Sequence, residues 1–311
     1  MDEHILLIGA GRAGGSLAQA LHHAGCPVAL VLDADRQAAA RVAALCGAAA
    51  GVLPGPATGA PANHRASPSA GAESGLGRGR IWSLLFLTVP DDAIAPLAAQ
   101  LAGDPAWPGA AIAVHCSGAL PAAALAPLQP RARIASMHPL QSFSGRPDGW
   151  RNWSGIHVAL EGEAEALDRL DALVRRLGSQ PFRMTAAQKP LYHAAGAVLA
   201  NGLVALGDAA LQLVADLPLT QAEKRGLFAP LVQTTLATLL AAGPAAALTG
   251  PISRGDTGTV ASHLHALREH QPGLVALYCA LSLELLHLAE QEGRLTALQK
   301  ERLIQLLTEQ R

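Results

Sequence analysis

Three polar side chains near the start of one apolar stretch are the first candidates for chemistry. Lys189 and His193 lie in Gln188-Lys-Pro-Leu-Tyr-His193, and Asn201 follows eight residues later. Pro190 suits the first position of a helix, and a residue before proline is steered away from helical geometry, so Lys189 is expected at the cap with His193 in the first turn. The positive end of a helix favours an anionic substrate group and lowers a histidine pKa. His193 therefore reads as an acid/base near pH 7, with Lys189 competing for the role. Asn201 is offset from His193 by about 80° around the helix and roughly 12 Å along it, so one broad face could present all three. Ser117, in His115-Cys-Ser-Gly-Ala-Leu120, could bond a substrate carbonyl or carboxylate, or cap the following turn. Each of the others also has a plain structural alternative: a solvated lysine, a satisfied core histidine, an asparagine bonded to nearby backbone.

A second group could hold a substrate. His138 and Gln141 belong to Met137-His-Pro-Leu-Gln-Ser-Phe143, where Pro139 keeps His138 extended. Arg254 and Asp256 stand in Leu248-Thr-Gly-Pro-Ile-Ser-Arg-Gly-Asp-Thr257. The fork of an arginine suits a carboxylate or phosphate, and Asp256 either joins it or caps the next helix. Cys116 reads as a small buried residue, and the absence of a G-x-S-x-G elbow argues against a serine nucleophile.

These side chains can move protons and hold anions, but a redox step needs a cofactor, and the N-terminus offers one a place. Ile5-Leu-Leu-Ile8 runs into Gly9-Ala-Gly11-Arg-Ala-Gly14 and then into an Ala/Leu-rich helix. Gly9 allows a tight turn, Gly11 lets backbone approach a pyrophosphate, and Gly14 lets helix and strand pack closely. Arg12 and Ala13 sit between them at the helix N-terminus, where unpaired N–H groups favour an anion. A second apolar strand, Val28–Leu32, ends on Asp33, where the acid that binds ribose hydroxyls belongs. Asp33 favours NAD, while Arg36 could instead meet the 2′-phosphate of NADP. Thr88, Val89 and Pro90, at the end of Leu84–Val89, are placed to line the nicotinamide ribose, because ligands of such sheets sit beyond the strands' carboxyl ends.

The elements needed to position these residues follow from apolar patterning. Strands at 111–115, 133–137, 155–160 and 180–184 and helices at 35–45, 91–101 and 163–177 give an α/β fold, a Rossmann-type doubly wound parallel sheet over residues 1–185. Residues 186–311 show no strand pattern. Helices at 190–214, 220–241, 257–270, 273–292 and 296–310 make an all-helical second domain. Between Leu53 and Arg80 the pattern dissolves into Gly, Pro, Ala and Ser, which reads as a flexible surface insertion.

Bulk properties narrow the function classes. The chain has 311 residues, half of them hydrophobic, and a formal net charge of −1, which provides no field to recruit nucleic acid or an anionic membrane. Four scattered cysteines without a C-x-x-C pair suggest neither disulfides nor a metal site and fit a reducing cytoplasm. Acidic Asp2 and Glu3 stand where a signal peptide would be basic. The most apolar stretch, 194–215, is interrupted by Asn201, Asp208 and Gln212, so no membrane span is expected.

Taken in order, Gly-Ala-Gly-Arg-Ala-Gly-Gly at 9–15, Val-Pro-Asp-Asp at 89–92, His-Cys-Ser-Gly-Ala-Leu at 115–120, Met-His-Pro-Leu-Gln-Ser-Phe at 137–143, Lys-Pro-Leu-Tyr-His-Ala-Ala at 189–195, Asn201 and the 248–256 loop form a recognisable series. The series resembles bacterial oxidoreductases of unsettled substrate that join a Rossmann-like domain to a helical C-terminal domain of unknown function. That family is related to pyrroline-5-carboxylate reductase, ketopantoate reductase and the 6-phosphogluconate and 3-hydroxyisobutyrate dehydrogenases. The resemblance implies NAD or NADP on the first domain, a small anionic substrate in the interdomain cleft, and a homodimer formed through the helices. Hydroxyacid dehydrogenases of that superfamily carry an asparagine four residues after their lysine. Here His193 occupies that spacing from Lys189, and the asparagine comes later, at 201. The expected function is hydride transfer between nicotinamide and a small carbonyl, hydroxy acid or imine. The alternative is a dinucleotide-binding sensor without turnover.

Overall fold

The computed structural model describes residues 4–53, 81–145 and 148–309. Apart from Leu53, the expected insertion lies outside the described residues. The chain divides into two compact units, Met1–Asn201 and Gly202–Arg311.

The first unit holds eight strands: β1 (Ile5–Ile8), β2 (Val28–Asp33), β3 (Ala49–Val52), β4 (Trp82–Leu87), β5 (Ala110–His115), β6 (Arg133–Pro139), β7 (His157–Gly162) and β8 (Gln180–Arg183). They form one sheet in the order β3-β2-β1-β4-β5-β6-β7-β8. Four helices accompany it, α1 (Arg12–His23), α2 (Arg36–Cys46), α3 (Asp91–Gly103) and α4 (Ala164–Arg176). Both faces of the sheet are covered, which explains why its strands read as unbroken apolar runs. Along β1, Ile5 and Leu7 join one core with Leu17, Val42 and Leu170, while Leu6 and Ile8 join the other with Ile94, Leu101 and Trp107. That alternation is the two-residue period of a strand applied to a sheet buried on both sides.

One departure from an all-parallel sheet appears. β7 runs antiparallel to β6, and β8 runs parallel to β7. The described part of the β6–β7 connection carries a short 3-10 turn, Gly149–Trp153, but no crossover helix, and an antiparallel neighbour needs none. The short β3, Ala-Ala-Gly-Val, escaped the sequence patterning because no apolar run marks it.

Register sets the functional rim. Ile8 pairs with Leu32 and Leu87, Leu87 with His115, and His115 with Ser136, so β1, β2, β4 and β5 end within a residue of one level while β6 runs on to Pro139. The strand order reverses between β1 and β4, and the crevice at such a switch point is where doubly wound sheets place ligands.

A long helix, α5 (Lys189–Leu213), leaves the first unit and enters the second. A 3-10 turn at Ala186–Gln188 precedes it, capped by a reciprocal Thr185/Gln188 box. That turn corrects the expectation that Pro190 forces Lys189 out of helical geometry. The chain is already winding when it reaches Lys189, whose φ of −56° and ψ of −45° are helical.

The second unit adds α6 (Gln221–Ala242), α7 (Pro244–Ala247), α8 (Gly250–Arg254), α9 (Thr257–His270), α10 (Val275–Gln291) and α11 (Ala297–Thr308). Ile252, Val260, Leu264, Cys279, Leu286, Leu303 and Leu307 form its core. α5 and α6 are unusual for helices in water. Leu191 is 80% exposed and Val198 77%, and of the 22 residues of α6 only Lys224 is buried. Residues 186–213 and 272–291 are long and apolar enough to cross a membrane by length and composition alone. Helices that pack against other protein share those two properties.

Candidate functional site

The glycine turn is fixed from beneath by Thr88, the first residue after β4. Its hydroxyl donates to the Gly9 carbonyl at 2.6 Å, and its N–H donates to the Ile8 carbonyl at 2.8 Å. Gly9 has φ +108°, and a Cβ there would lie 2.6 Å from the Thr88 carbonyl oxygen. A Cβ on Gly14 would collide with the Gly9 carbonyl and the Thr88 hydroxyl, so both glycines are needed for the turn itself. Gly11 differs. Its backbone is extended, φ −71° and ψ −168°, and a Cβ there would meet nothing within 4 Å. Gly11 also opens α1 with no side-chain cap, leaving first-turn N–H groups for an outside acceptor. The open ground above Gly11 fits the close backbone approach that a dinucleotide pyrophosphate requires.

Around this turn lies a cavity of about 260 Å³ lined by Gly9, Gly11, Asp33, Ala34, Leu53, Thr88, Val89, Pro90, Ala93 and Leu97. Its walls are mostly apolar, as a flat aromatic base needs, with one acid at the edge. The Asp33 carboxylate accepts from the Ala10 N–H at 2.6 Å and the Asp35 N–H at 2.8 Å. Gly9, Gly11, Asp33, Thr88, Val89 and Pro90 are thus brought together, while Arg12 and Ala13 form the first turn of α1 above them.

A second cavity, about 390 Å³, is lined by His138, Leu140, Gln141, Ser142, His193, Gly196, Ala197, Leu199, Ala200 and Asn201. The structure therefore gathers His193, Asn201, His138 and Gln141 around one space. Gly118 forms the floor beneath two of them. A Cβ on it would stand 2.5 Å from His193 Nδ1 and 2.8 Å from His138 Nε2, so both imidazoles rest where a side chain is missing. Their ring centroids are 5.7 Å apart. His138 Nδ1 pairs with the Tyr192 hydroxyl at 3.1 Å. Burial, reinforced by the nearby Lys189 and His193 charges, pushes the His138 pKa down to about 4, so its ring is neutral at pH 7.

Lys189 is somewhere else. It is fully buried, and its ammonium donates to Ser136 Oγ at 2.6 Å and to the Ser117 carbonyl at 3.1 Å. Burial lowers its pKa, opposed by the Glu161 and Asp91 carboxylates. The lysine ties the start of α5 to the ends of β5 and β6 and does not line the cavity. Ser117 takes its structural role: the hydroxyl donates to Asp91 Oδ2 at 2.7 Å and accepts from the Ala119 and Leu120 N–H groups. His115 supports the same loop, accepting from the Ser117 N–H on Nδ1, with Nε2 3.0 Å from the Pro121 carbonyl. Burial pushes its pKa down to about 4. The Cys116 thiol is raised to about 12 by burial and stays protonated. Arg254 and Asp256 belong to the second unit, where Asp256 caps α9 by accepting from the Thr259 N–H and hydroxyl.

Sequence reading missed Gly118, Tyr192, Ser136 and Asp91 as members of this group. Each lay inside a stretch already singled out, and the signal was the clustering of small polar residues at the ends of consecutive strands.

Comparison with known proteins agrees with this architecture. Residues 156–285 match the family described as Domain of unknown function (DUF2520). No curated protein matches the sequence. Among solved structures, protein TM1727 from Thermotoga maritima is similar at 22% identity and a TM-score of 0.66, over 93% of this chain and 99% of that one. The "putative NADP oxidoreductase BF3122" from Bacteroides fragilis is similar at 22% identity and a TM-score of 0.68, over 92% and 99%. A reductive aminase from Aspergillus terreus, solved with NADPH and ethyl levulinate, has 19% identity and a TM-score of 0.58, over 94% and 95%. At these identities the likeness establishes the fold: a Rossmann-type sheet followed by helices.

Proposed function

We propose that this chain, a Rossmann-type domain running into a DUF2520 region, is an NAD(P)-dependent oxidoreductase acting on a small carbonyl, hydroxy acid or imine. The observation that carries the reading is the pairing of two features on one unit. A glycine turn has its Gly11 face open to a ligand, and a cavity beside the same strand ends presents two histidines and an asparagine. The names of the similar structures, one an NADP oxidoreductase by attribution and one a reductive aminase solved with NADPH, lean the same way.

The Gly9–Gly14 turn and the α1 N-terminus would hold the pyrophosphate, and the cavity at Asp33 and Leu53 the adenosine. The nicotinamide, when bound, supplies or accepts the hydride. This chain's own residues handle the proton. His193 is exposed and lines the substrate cavity, so it delivers a proton to the substrate oxygen or nitrogen in reduction and removes it in oxidation. His138, neutral and bonded to Tyr192, holds the neighbouring edge of the cavity, and Asn201 and Gln141 orient polar substrate groups. Lys189, buried beneath the loop, fixes the strand ends on which the histidines rest. His193, not Lys189, is assigned the acid/base role.

Turnover of small keto acids and cyclic imines with NADPH and NADH tests the assignment. His193→Gln should lower kcat by about 10²-fold or more while dinucleotide affinity stays unchanged. Lys189→Met should lower activity together with the melting temperature, because it strips the donor from two buried acceptors. Full turnover in His193→Gln would refute the assignment. Wild-type chain that binds dinucleotide but turns over no substrate in the panel would favour the sensor reading.

The proposal extends to a second copy of the chain. The family resemblance implies one, and the exposed leucines and valines of α5 and α6 are an apolar surface of the kind that pairing covers. Sedimentation should give a dimer mass, and a monomer mass at micromolar concentration would contradict it.

A further inference from the structure

Tyr192 is the neighbour of His193 in the first turn of α5, yet it does not line the histidine cavity. Its ring is wedged between two others. It meets His138 edge-on, with 5.5 Å between centroids and 89° between planes, and Phe182 of β8 at 5.8 Å and 69°. Contacts of that geometry hold an aromatic ring in place, so the hydroxyl is fixed 3.1 Å from His138 Nδ1. This is the one hydrogen bond the Tyr192 side chain makes among the described residues. Burial raises the phenol to about 12, so it keeps its hydrogen. The His138 ring is neutral at pH 7 and carries a single hydrogen. A phenol that must donate to Nδ1 needs a lone pair there, which leaves the imidazole hydrogen on Nε2.

Nε2 faces the ground above Gly118. A Cβ on that glycine would stand 2.8 Å from His138 Nε2 and 2.5 Å from His193 Nδ1, so the two nitrogens flank one small space. Neither has a hydrogen-bond partner among the described residues. An atom seated between them receives a hydrogen bond from His138 and exchanges a proton with His193. A carbonyl oxygen has two lone pairs and accepts both. An imine nitrogen has one, and after taking the His193 proton it would turn an N–H toward the His138 N–H and leave that donor unpaired.

We propose that Tyr192 holds His138 as a donor through Nε2, that His138 and His193 converge on one substrate atom, and that the reacting group is a carbonyl, or a hydroxyl in reverse, and not an imine. The proposal narrows the substrate class of the function proposed above and rests on that reading. In reduction the carbonyl carbon gains the hydride of the reduced dinucleotide, the π pair moves onto oxygen, and oxygen takes a proton from the His193 imidazolium. His138 keeps its own proton and stabilises the growing charge on oxygen. His138 is thus a catalytic residue, and Tyr192 a positioning residue acting through it.

Two measurements on the full chain test this. In ¹⁵N imidazole NMR, with the His138 signals identified by their loss in His138→Asn, wild type should show a protonated Nε2 and an unprotonated Nδ1. Tyr192→Phe, which keeps the ring against Phe182 and removes only the oxygen, should show a mixture of both tautomers. The second is turnover of shape-matched pairs with NADPH and NADH: cyclopentanone against 1-pyrroline, and 2-oxopentanoate against 1-pyrroline-2-carboxylate. The carbonyl member should be favoured by at least about 100-fold in kcat/KM. Tyr192→Phe should lower kcat for the carbonyl about tenfold with KM and dinucleotide affinity little changed, and should narrow the preference over the imine by a similar factor. A wild-type His138 protonated on Nδ1, or carbonyl turnover and preference that Tyr192→Phe leaves intact, would overturn the positioning role. Imines reduced as well as carbonyls would overturn the convergence on oxygen and leave the oxidoreductase reading standing. Turnover of neither class would overturn this substrate class and the proposed function together.

Discussion

At the end of β1 the proposed binding surface is backbone: three glycines, a threonine pinning two carbonyls, and a helix start without a capping side chain. At the ends of β5 and β6 it is made of side chains. Two imidazoles rest on Gly118, a buried ammonium lies beneath them, and a serine is spent on its own loop. The first region owes its shape to what is missing from its residues, and the second to how its residues lean on one another. Substitutions at the first should therefore act through sterics alone, whereas those at the second should also answer to pH and charge.

The largest effect is expected where backbone meets backbone. Gly14→Val drives a side chain into the Gly9 carbonyl, which cannot step aside, and should cost about 3 kcal/mol or more of stability, read by denaturant unfolding. An unchanged midpoint would mean the turn is less constrained than its geometry indicates.

The histidine region should respond to acid. His115 falls from its ordinary 6.5 to about 4 on folding, so between those values the unfolded chain binds the extra proton. Stability should be flat above pH 6.5 and should drop by about 3 kcal/mol on His115's account as the pH falls to 4. His138, also held near 4, should add a loss over the same window. Unfolding curves at pH 4, 5, 6 and 7 would show the slope, and His115→Gln should flatten it. A stability that rises toward pH 4 would contradict the burial argument.

Gly118→Ala should produce the smallest change in stability and the most selective change in function. Its Cβ displaces the two imidazoles, which can tilt into the cavity, so unfolding should shift by only about 1 kcal/mol. Turnover should fall about tenfold or more, because such misplacement of catalytic groups is costly, with dinucleotide affinity unchanged. Equal loss of both would mean that the two regions are not independent.

The contrast also explains what could be read in the sequence. The Rossmann strands other than β3, their order of appearance, the glycine turn and Asp33 were legible because each depends on a local pattern: apolar runs, glycine spacing, an acid at a strand end. The four residues of the histidine cavity were found as candidates, but Lys189 and Ser117 were grouped with them. Lys189 sits four residues before His193 on the same helix, and spacing alone could not tell that its side chain reaches the strand ends. Ser117 could bond a substrate or its own turn, and only the structure shows its hydroxyl bonded to Asp91 and to the 119–120 amides. β7's reversed direction was invisible for a similar reason, since strand direction depends on what a connection contains.

The most direct measurement is a fluorescence titration of NADPH and NADH against the wild-type chain and Gly11→Val. Gly11 has extended backbone and empty space where a Cβ would go, so the variant should fold as the wild type does. Micromolar binding by the wild type, abolished in a variant of unchanged melting temperature, is the expected result. Absence of binding by the wild type, or binding that Gly11→Val leaves intact, would contradict the assignment of a dinucleotide to this turn.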